Sequence, residues 1–342
     1  MRYPDKPWSF SVFAALVCWF LTTSAGNPGI KRYQLTGYAQ GTTYAVAYYA
    51  SDQVVSKASI DSVLSVIDSS MSLYKPYSLI NQINRASGEV RITDAHFERV
   101  LRRSFEIYRH SDGLFDITVA PLVQLWGFGV ETVDHLPDSA AVAEMLACVG
   151  MDKVELSGRR LIKSAPCVEL DMNGIAQGYS VDVLADHLEA HGIERYLVEL
   201  GGELRVKGPK PDGMPFRVGI ERPLPLEGGG TMIDDVVEIR EGAITTAGSY
   251  RKFLTDGDRR VSHHINPKTG YPFTTGIISA TVYSGDAMTA DGYDNVIMAM
   301  PVAEAITFAD QVKELEVFIV YQDEHGAVKD TMSVGFKQLI AN

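Results

Sequence analysis

Between Ile175 and Val206 the chain passes from a helix to a strand, a two-glycine turn and a second strand, and that succession limits the folds open to it. From Ile175 to His191 the apolar residues keep helical spacing, and Gly192 stands where a C-terminal cap belongs. Tyr196-Leu-Val-Glu-Leu200 and Glu203-Leu-Arg-Val206 follow, separated by Gly201-Gly202. A helix that runs into a tight hairpin is not the repeating unit of a doubly wound parallel sheet.

The rest of the chain has the same interspersed character. Tyr33–Gly37 and Thr43–Tyr49 form an opening strand pair around Gly41. Ile60, Val63, Leu64, Ile67 and Met71 recur at helical spacing, as do Phe97, Val100, Leu101, Phe105 and Tyr108 before Gly113. Further strands are expected at Phe216–Glu221, Ile277–Tyr283 and Val317–Tyr321, with helices over residues 287–299 and 302–313 between the last two. The expected class is α+β, with mixed or antiparallel sheets, flanking helices and one compact catalytic domain over residues 31–340. With 342 residues, 46% of them hydrophobic, the chain can bury a core in one large domain or two intimate ones.

A formal net charge of −12 argues against a nucleic-acid partner, because phosphate backbones are bound by excess Lys and Arg. An anionic small substrate must then be held locally, by a few basic side chains, helix N-termini or a bound cation. Residues 1–25 pass from Arg2 and Lys6 through the apolar run Ser11–Leu21 to Thr23-Ser24-Ala25, the pattern of a secretory signal peptide. That run is about half the ~20 residues a bilayer span needs, so a permanent anchor is the weaker reading. The mature protein is expected in the periplasm, free or associated with the inner membrane. Export leaves Cys148 and Cys167, which either pair or stay as two thiols.

No G-x-G-x-x-G follows a first strand and no phosphate-loop motif is present, and Gly228-Gly-Gly230 behind Pro223 and Pro225 reads as a surface loop. Four other segments are too rich in glycine and short polar side chains for packing alone. They are Gly113-Leu-Phe-Asp-Ile-Thr118 with Pro121–Gly129; Asp171-Met-Asn-Gly-Ile-Ala-Gln-Gly-Tyr-Ser-Val-Asp182; Thr245–Tyr250 with Ser262-His-His-Ile-Asn-Pro-Lys-Thr-Gly270; and Thr289-Ala-Asp-Gly-Tyr-Asp-Asn295.

In the fourth, Asp291 and Asn295 are four apart and Asp294 lies three from the first, so a helix puts their oxygens on one face. That face either is solvated or offers a hard cation carboxylate and amide oxygens. His263 and His264 are adjacent, and only one need be functional. Tyr74 is either a core aromatic that closes an amphipathic helix or part of a site.

In order and spacing these segments resemble the ApbE family, the FAD:protein FMN transferases, over nearly the whole mature chain. Family members carry M-G-T, S-x-Y-x-x-x-S, G-x-F-D near L-W-G-F, D-x-x-x-I-A-K-G-Y-x-V-D, G-G-E, T-S-G, S-H-x-I-D-P-x-T-G and A-D-x-x-x-T. Here the first two appear as Gln40-Gly41-Thr42 and as Ser72 to Ser78 around Tyr74. Three positions depart from the pattern: Gln40 stands for Met, Gln177 for Lys and Asn295 for Thr.

The resemblance implies that Gln40, Tyr74, Leu114, Phe115, Asp116, Asp171, Gln177 and Ile265 line an FAD site, with Tyr74 stacked on the isoalloxazine ring. It implies Mg²⁺ held by the Gly174 carbonyl, Asp291, Asp294 and Asn295, and catalytic roles for His263 and Asp291. Glu203 and Thr246 are weaker candidates. The implied reaction moves FMN from FAD to a Ser or Thr hydroxyl of an acceptor protein and releases AMP. The implied acceptors are periplasm-facing subunits of ion-pumping oxidoreductases. The alternatives are an FAD pyrophosphatase with water as nucleophile and a non-catalytic flavin carrier.

Overall fold

The computed structural model describes residues 29–341 apart from 132, 134, 224–230, 250–252 and 257–258; the expected signal peptide and the Gly228–Gly230 loop lie outside the described residues. In chain order the elements are β1 (Lys31–Ala39), β2 (Thr42–Ala50), α1 (Lys57–Met71), α2 (Leu79–Arg85), β3 (Glu89–Arg91) and α3 (Ala95–His110). Next come α4 (Ala120–Leu125), α5 (Ser139–Leu146), a 3₁₀ turn (Met151–Lys153), β4 (Val154–Ser157), β5 (Arg160–Lys163) and α6 (Ala176–Ala190). The strands β6 (Tyr196–Leu200), β7 (Glu203–Lys207), β8 (Phe216–Pro223), β9 (Thr231–Ile239), β10 (Glu241–Gly248), β11 (Phe253–Asp256), β12 (Arg259–Ser262) and β13 (Ile277–Ser284) follow. The chain closes with α7 (Ala287–Met298), α8 (Val302–Gln311), β14 (Glu316–Gln322), β15 (Val328–Met332) and α9 (Val334–Lys337). Every expected element is present, and the class is α+β with antiparallel pairing throughout the named strands.

The chain divides into two compact units: residues 69–172 with 253–273, and the rest of the described chain. The second unit is organised by an eight-stranded antiparallel sheet in the order β1-β2-β6-β7-β10-β13-β14-β15. Its hairpins follow from turn chemistry. Gln40 and Gly41 join β1 to β2 with φ of 52° and 78°, and Gly201 and Gly202 join β6 to β7 with φ of 67° and 116°. Two consecutive positive φ values define the two-residue turn whose twist matches the strands, and glycine adopts them without steric cost.

Strand alternation then separates two cores. Tyr44, Val46 and Tyr48 of β2 with Tyr196, Val198 and Leu200 of β6 face α1 and α6, packing on Ile60, Leu64, Val181, Leu184 and Leu188. On the opposite face Leu197, Leu204, Val206, Ile244, Phe318 and Val320 meet the β8–β9 hairpin and Phe336 of α9. Each fully buried aliphatic or aromatic side chain contributes about 1.5–3 kcal/mol. The Phe216–Glu221 strand therefore pairs with β9 as a cover over the sheet rather than joining it. Among the described residues no helix is long and apolar enough to cross a membrane.

The first unit holds α2 to α5, a three-stranded sheet in the order β3-β5-β4 and the β11–β12 hairpin. Its apolar centre is Leu122, Trp126, Val142, Val149, Val261 and Ile265. Cys148 and Cys167 form a disulfide with Cα atoms 5.4 Å apart.

One buried acid in the second unit gives the fold a pH dependence. Glu199 shares the apolar sheet face with Leu197, and burial pushes its carboxyl up to about 7, opposed by the Gly202 amide that donates to it at 2.9 Å. A folded-state value above the unfolded one means that the native state favours the proton, so stability is lost as pH rises from about 4.5 to about 7. Glu199→Gln, which keeps the shape without the charge, should flatten that decline. Thermal melts at pH 5 and pH 8 check it: wild type should lose more Tm between them than the variant.

Candidate active site

In the second unit the site begins where α6 and α7 touch. Gly178, in the first turn of α6, lies so close to α7 that a Cβ there would stand 2.2 Å from the Ala287 carbonyl oxygen and 2.6 Å from the Asp291 Cβ. That approach lets the Gly178 amide donate to Asp291 Oδ2 at 2.7 Å. Ile175, the residue that opens α6, has no side-chain acceptor, so Asp291 supplies the cap from the neighbouring helix.

Asp291 and Asp294 are 5% and 2% exposed, and neither is in an ion pair among the described residues. Burial pushes the Asp291 carboxyl up to about 7, against the Gly178 bond and helped by the nearby Asp182 charge. Asp294 is pushed well above the carboxylate range by burial and then by Asp291, with the Thr245 hydroxyl of β10 opposing. Asn295 lies beside them. Its Nδ2 donates to the Gly174 carbonyl at 3.2 Å, the Asp291 carbonyl at 2.9 Å and Asp294 Oδ1 at 2.9 Å. The four residues expected to hold a cation therefore converge, and three oxygens point at one NH₂ group. Among the described residues no cluster of three or more His, Cys, Asp and Glu forms. The oxygens around that NH₂ group are the Asp294 carboxylate and the Gly174 and Asp291 backbone carbonyls, while the Asp291 carboxylate accepts from the Gly178 amide.

The two expected site glutamines, Gln40 and Gln177, are held near the same helix start. Gln40 Nε2 donates to Ser180 Oγ at 2.9 Å, and the Ser180 hydroxyl donates to the Ala176 carbonyl at 2.8 Å. Gln177 Nε2 donates to the Leu200 carbonyl at 3.0 Å and lies over Gly201, where a Cβ would clash with it at 1.8 Å. The Gly201-Gly202 turn thus serves the hairpin and leaves room for Gln177. Thr246 is paired with Thr281 at 3.0 Å.

In the first unit Tyr74 is 60% exposed, which removes the core-aromatic alternative. Its loop is fixed by Asn81, whose Nδ2 donates to the Leu73 and Lys75 carbonyls, both at 2.9 Å. Residues 113–116 follow α3, where Asp112 and Gly113 have φ of 50° and 75° and turn the chain back. Phe115 is buried, Leu114 is half-buried, and the buried Asp116 is a hub. Asp116 Oδ1 accepts from the Thr118 amide at 2.8 Å and hydroxyl at 2.5 Å, and Oδ2 accepts from the Met151 amide at 3.0 Å. Thr118 Oγ1 in turn accepts from the Gly150 amide at 2.7 Å. Desolvation raises the Asp116 carboxyl and these donors oppose it.

Beside this hub lies a cavity of about 490 Å³ lined by Tyr108, Arg109, Gly113, Asp116, Pro267 and Lys268. Asp171 is tied in through its amide, which donates to the Ile117 carbonyl at 2.7 Å. The preceding Leu170 is gripped at both backbone groups by Asn84, at 2.9 and 2.8 Å.

The two histidines differ. The His263 ring packs edge-on to Phe128 at 6.1 Å and lies 4.0 Å from the His264 ring. His264 is held well below the ordinary histidine range by desolvation and then by His263, and its amide donates to Ser262 Oγ. Ile265 is buried in the apolar cluster that also holds Leu122 and Trp126.

The expected site residues thus fall into two groups. Gln40, Gly174, Gln177, Asp291, Asp294 and Asn295 belong to the second unit, and Tyr74, Leu114, Phe115, Asp116, Asp171, His263 and Ile265 to the first. Asn81, Asn84, Thr118 and Asp182 carry no assignment from sequence. Asp182 closes a motif, which is a signal; the asparagines have none, because their contacts lie with backbone groups that no spacing reveals.

A model of the ApbE family matches residues 40–319. An FAD:protein FMN transferase from Vibrio cholerae is 32% identical over 333 residues, covering 96% of this chain and 98% of its own. The counterpart from Haemophilus influenzae is 32% identical over 332 residues, 93% of this chain and 94% of its own. The solved flavin transferase ApbE of Vibrio cholerae superposes with a TM-score of 0.82 at 31% identity, covering 91% of this chain and 99% of that one. The apo flavinyl transferase ApbE of Pseudomonas stutzeri gives 0.81 at 29% identity, covering 92% and 98%. Fold and relatives together define a transferase enzyme. The chain belongs to the ApbE family.

The helix contact at Gly178 is directly testable. Gly178→Ala forces a methyl against the Ala287 carbonyl and Asp291 Cβ, so the helices must separate. Overpacking of this kind costs about 1–3 kcal/mol, read as a lower midpoint in urea denaturation with unchanged slope.

Proposed function

We propose that the protein transfers the FMN half of FAD to a Ser or Thr hydroxyl of an acceptor protein and releases AMP, with Mg²⁺ bound at the α7 oxygens. The observation that carries this reading is the buried pair Asp291 and Asp294, in no ion pair among the described residues, with Asp294 accepting from the Asn295 amide that also binds the Gly174 carbonyl. Two neighbouring buried carboxylates cannot both ionise cheaply, so the set is built for a counter-charge. Hard oxygens from carboxylate, amide and carbonyl fit Mg²⁺, which keeps positions open for phosphate. When bound, the cation supplies charge neutralisation on the pyrophosphate oxygens.

The chain's own residues do the rest. Asp116, anchored by three donors, presents a fixed wall to the adjoining cavity, which suits it to hold a moiety of FAD. Tyr74 offers a free aromatic face to the flavin ring. The acceptor hydroxyl forms a bond to the FMN-side phosphorus, the pyrophosphate P–O bond breaks, and AMP leaves with the electron pair. His263 or a site carboxylate orients the hydroxyl and takes its proton. Chemistry of this type depends on positioning and electrostatics more than on covalent help. The signal-like residues 1–25 support export to the periplasm, where acceptors such as subunits of ion-pumping oxidoreductases face the enzyme.

Incubation with FAD, Mg²⁺ and a candidate acceptor tests the proposal. AMP release should match the gain of one FMN mass on the acceptor, and EDTA should stop both until Mg²⁺ is restored. AMP release with unmodified acceptor identifies a pyrophosphatase instead, and full turnover of metal-free enzyme removes the metal from the reading.

Two substitutions probe the first unit. Tyr74→Ala should weaken FAD binding several-fold, since stacking is worth about 1 kcal/mol, and leave the melt unchanged because the side chain is exposed. An equal dissociation constant by fluorescence titration rejects the stacking role. His263→Ala should abolish FMN transfer while FAD still binds, whereas His264→Ala should be mild. Single-turnover assays of the two variants decide between the rings.

A further inference from the structure

We infer that Asp182 is a positioning residue for the metal site: it fixes the register of α7 on α6 that turns Asp291, Asp294 and Asn295 toward the Gly174 carbonyl. This inference rests on the cation reading above and identifies what aligns that site.

Its basis is the fate of the first four amides of α7, which no carbonyl within the helix proper can satisfy. The helix meets two of them itself: Thr289 donates to Asp286 Oδ1 at 2.9 Å, and Ala290 to the Asp286 carbonyl at 3.2 Å. The other two are met from the neighbouring helix. Ala287 donates to Asp182 Oδ1 at 2.9 Å and Met288 to Asp182 Oδ2 at 2.8 Å. Asp182 is 2% exposed, and Arg205 Nη1 of β7 binds the same Oδ1 at 2.9 Å.

The bond from Gly178 to Asp291 runs the other way, one helical turn along each helix. Gly178 and Asp182 are four apart on α6, and Ala287 and Asp291 four apart on α7, so each helix caps the start of the other across two rungs. One rung allows α7 to pivot. Two fix both its rotation and its shift, and the Asp291 rung is itself a cation ligand on the proposed reading. Loss of Asp182 leaves α7 helical, because Asp286 still caps it, but removes the second rung. The oxygens then lose their common focus.

The carboxylate that holds the helix and the one that would hold the metal thus do different jobs, and outer partners that orient ligands are worth about 10–100-fold in metal affinity. Helix capping alone has no such effect, which supplies the control. Asp286→Ala uncaps the same helix from within and leaves both rungs in place.

The experiment is calorimetric titration of Mg²⁺ into the FAD-free protein, with circular dichroism to establish a folded baseline at the temperature used. Asp182→Asn, which keeps shape and one acceptor, should lower Mg²⁺ affinity by about 10-fold or more. Asp286→Ala should stay near wild type in affinity although its Tm falls. Arg205→Gln, which frees the Asp182 carboxylate without removing it, should give a smaller loss, and it decides the matter if Asp182→Asn does not fold.

Wild-type affinity in Asp182→Asn, or in Arg205→Gln where only that variant folds, overturns the inference. So does an equal loss in Asp286→Ala, which makes the effect one of helix stability. A wild-type protein that takes up no Mg²⁺ overturns the cation reading and this inference with it; a wild type that binds while Asp182→Asn is unaffected leaves the cation reading intact.

Discussion

Two carboxyl groups sit on one buried turn of α7, in no ion pair among the described residues, and much of the second unit is arranged around them. A free carboxylate in an apolar interior neutralises itself by taking a proton or by finding donors. Asp291 finds one in the α6 amide of Gly178, which requires the two helices to approach at a residue without a side chain. The approach requires α7 to start at a defined point, which Asp182 and Asp286 secure. The sheet behind supplies Arg205 and Thr245, so β7 and β10 must lie next to each other, as the antiparallel order places them.

The first unit solves a related problem with neutral donors. Its loops carry the polar segments, and loops expose backbone groups that need partners. Asn81, Asn84 and Thr118 meet that need by imitating backbone, binding amides or carbonyls that lie 8, 86 and 32 residues away. Asp116 accepts from three such donors at once. Its wall of the cavity is therefore fixed before any substrate arrives, which lowers the ordering cost of binding.

What sequence makes legible follows from periodicity. The helices α1, α3, α6, α7 and α8 and the sheet strands β1, β2, β6, β7, β13 and β14 repeat their apolar residues and are legible, whereas the short helices α2, α4, α5 and α9 and the strand β10 are not. The strands β9 and β15 were missed because Asp234-Asp235 and Lys329-Asp330 interrupt any alternation on a cover and an edge. The oxygen set of Asp291, Asp294 and Asn295 was legible because helical spacing alone puts them together, whereas the Gly174 carbonyl came only through the family resemblance. Asp182 was visible as a motif residue, yet its partners are backbone amides more than a hundred residues away. Ile265, expected at a ligand wall, also belongs to the apolar cluster of Leu122 and Trp126, a packing that no local pattern encodes.

The disulfide has a practical corollary. Cys148 stands two residues before Gly150 and three before Met151, the amides that bind Thr118 and Asp116, while Cys167 lies four before Asp171. The bond therefore splices the two strands of chain that frame the Asp116 hub. Chains made under reducing conditions keep two thiols there, and thiols do not restrain that frame. Preparations of one sequence will then differ with the compartment in which they were made, so thiol titration belongs beside any comparison of their binding constants.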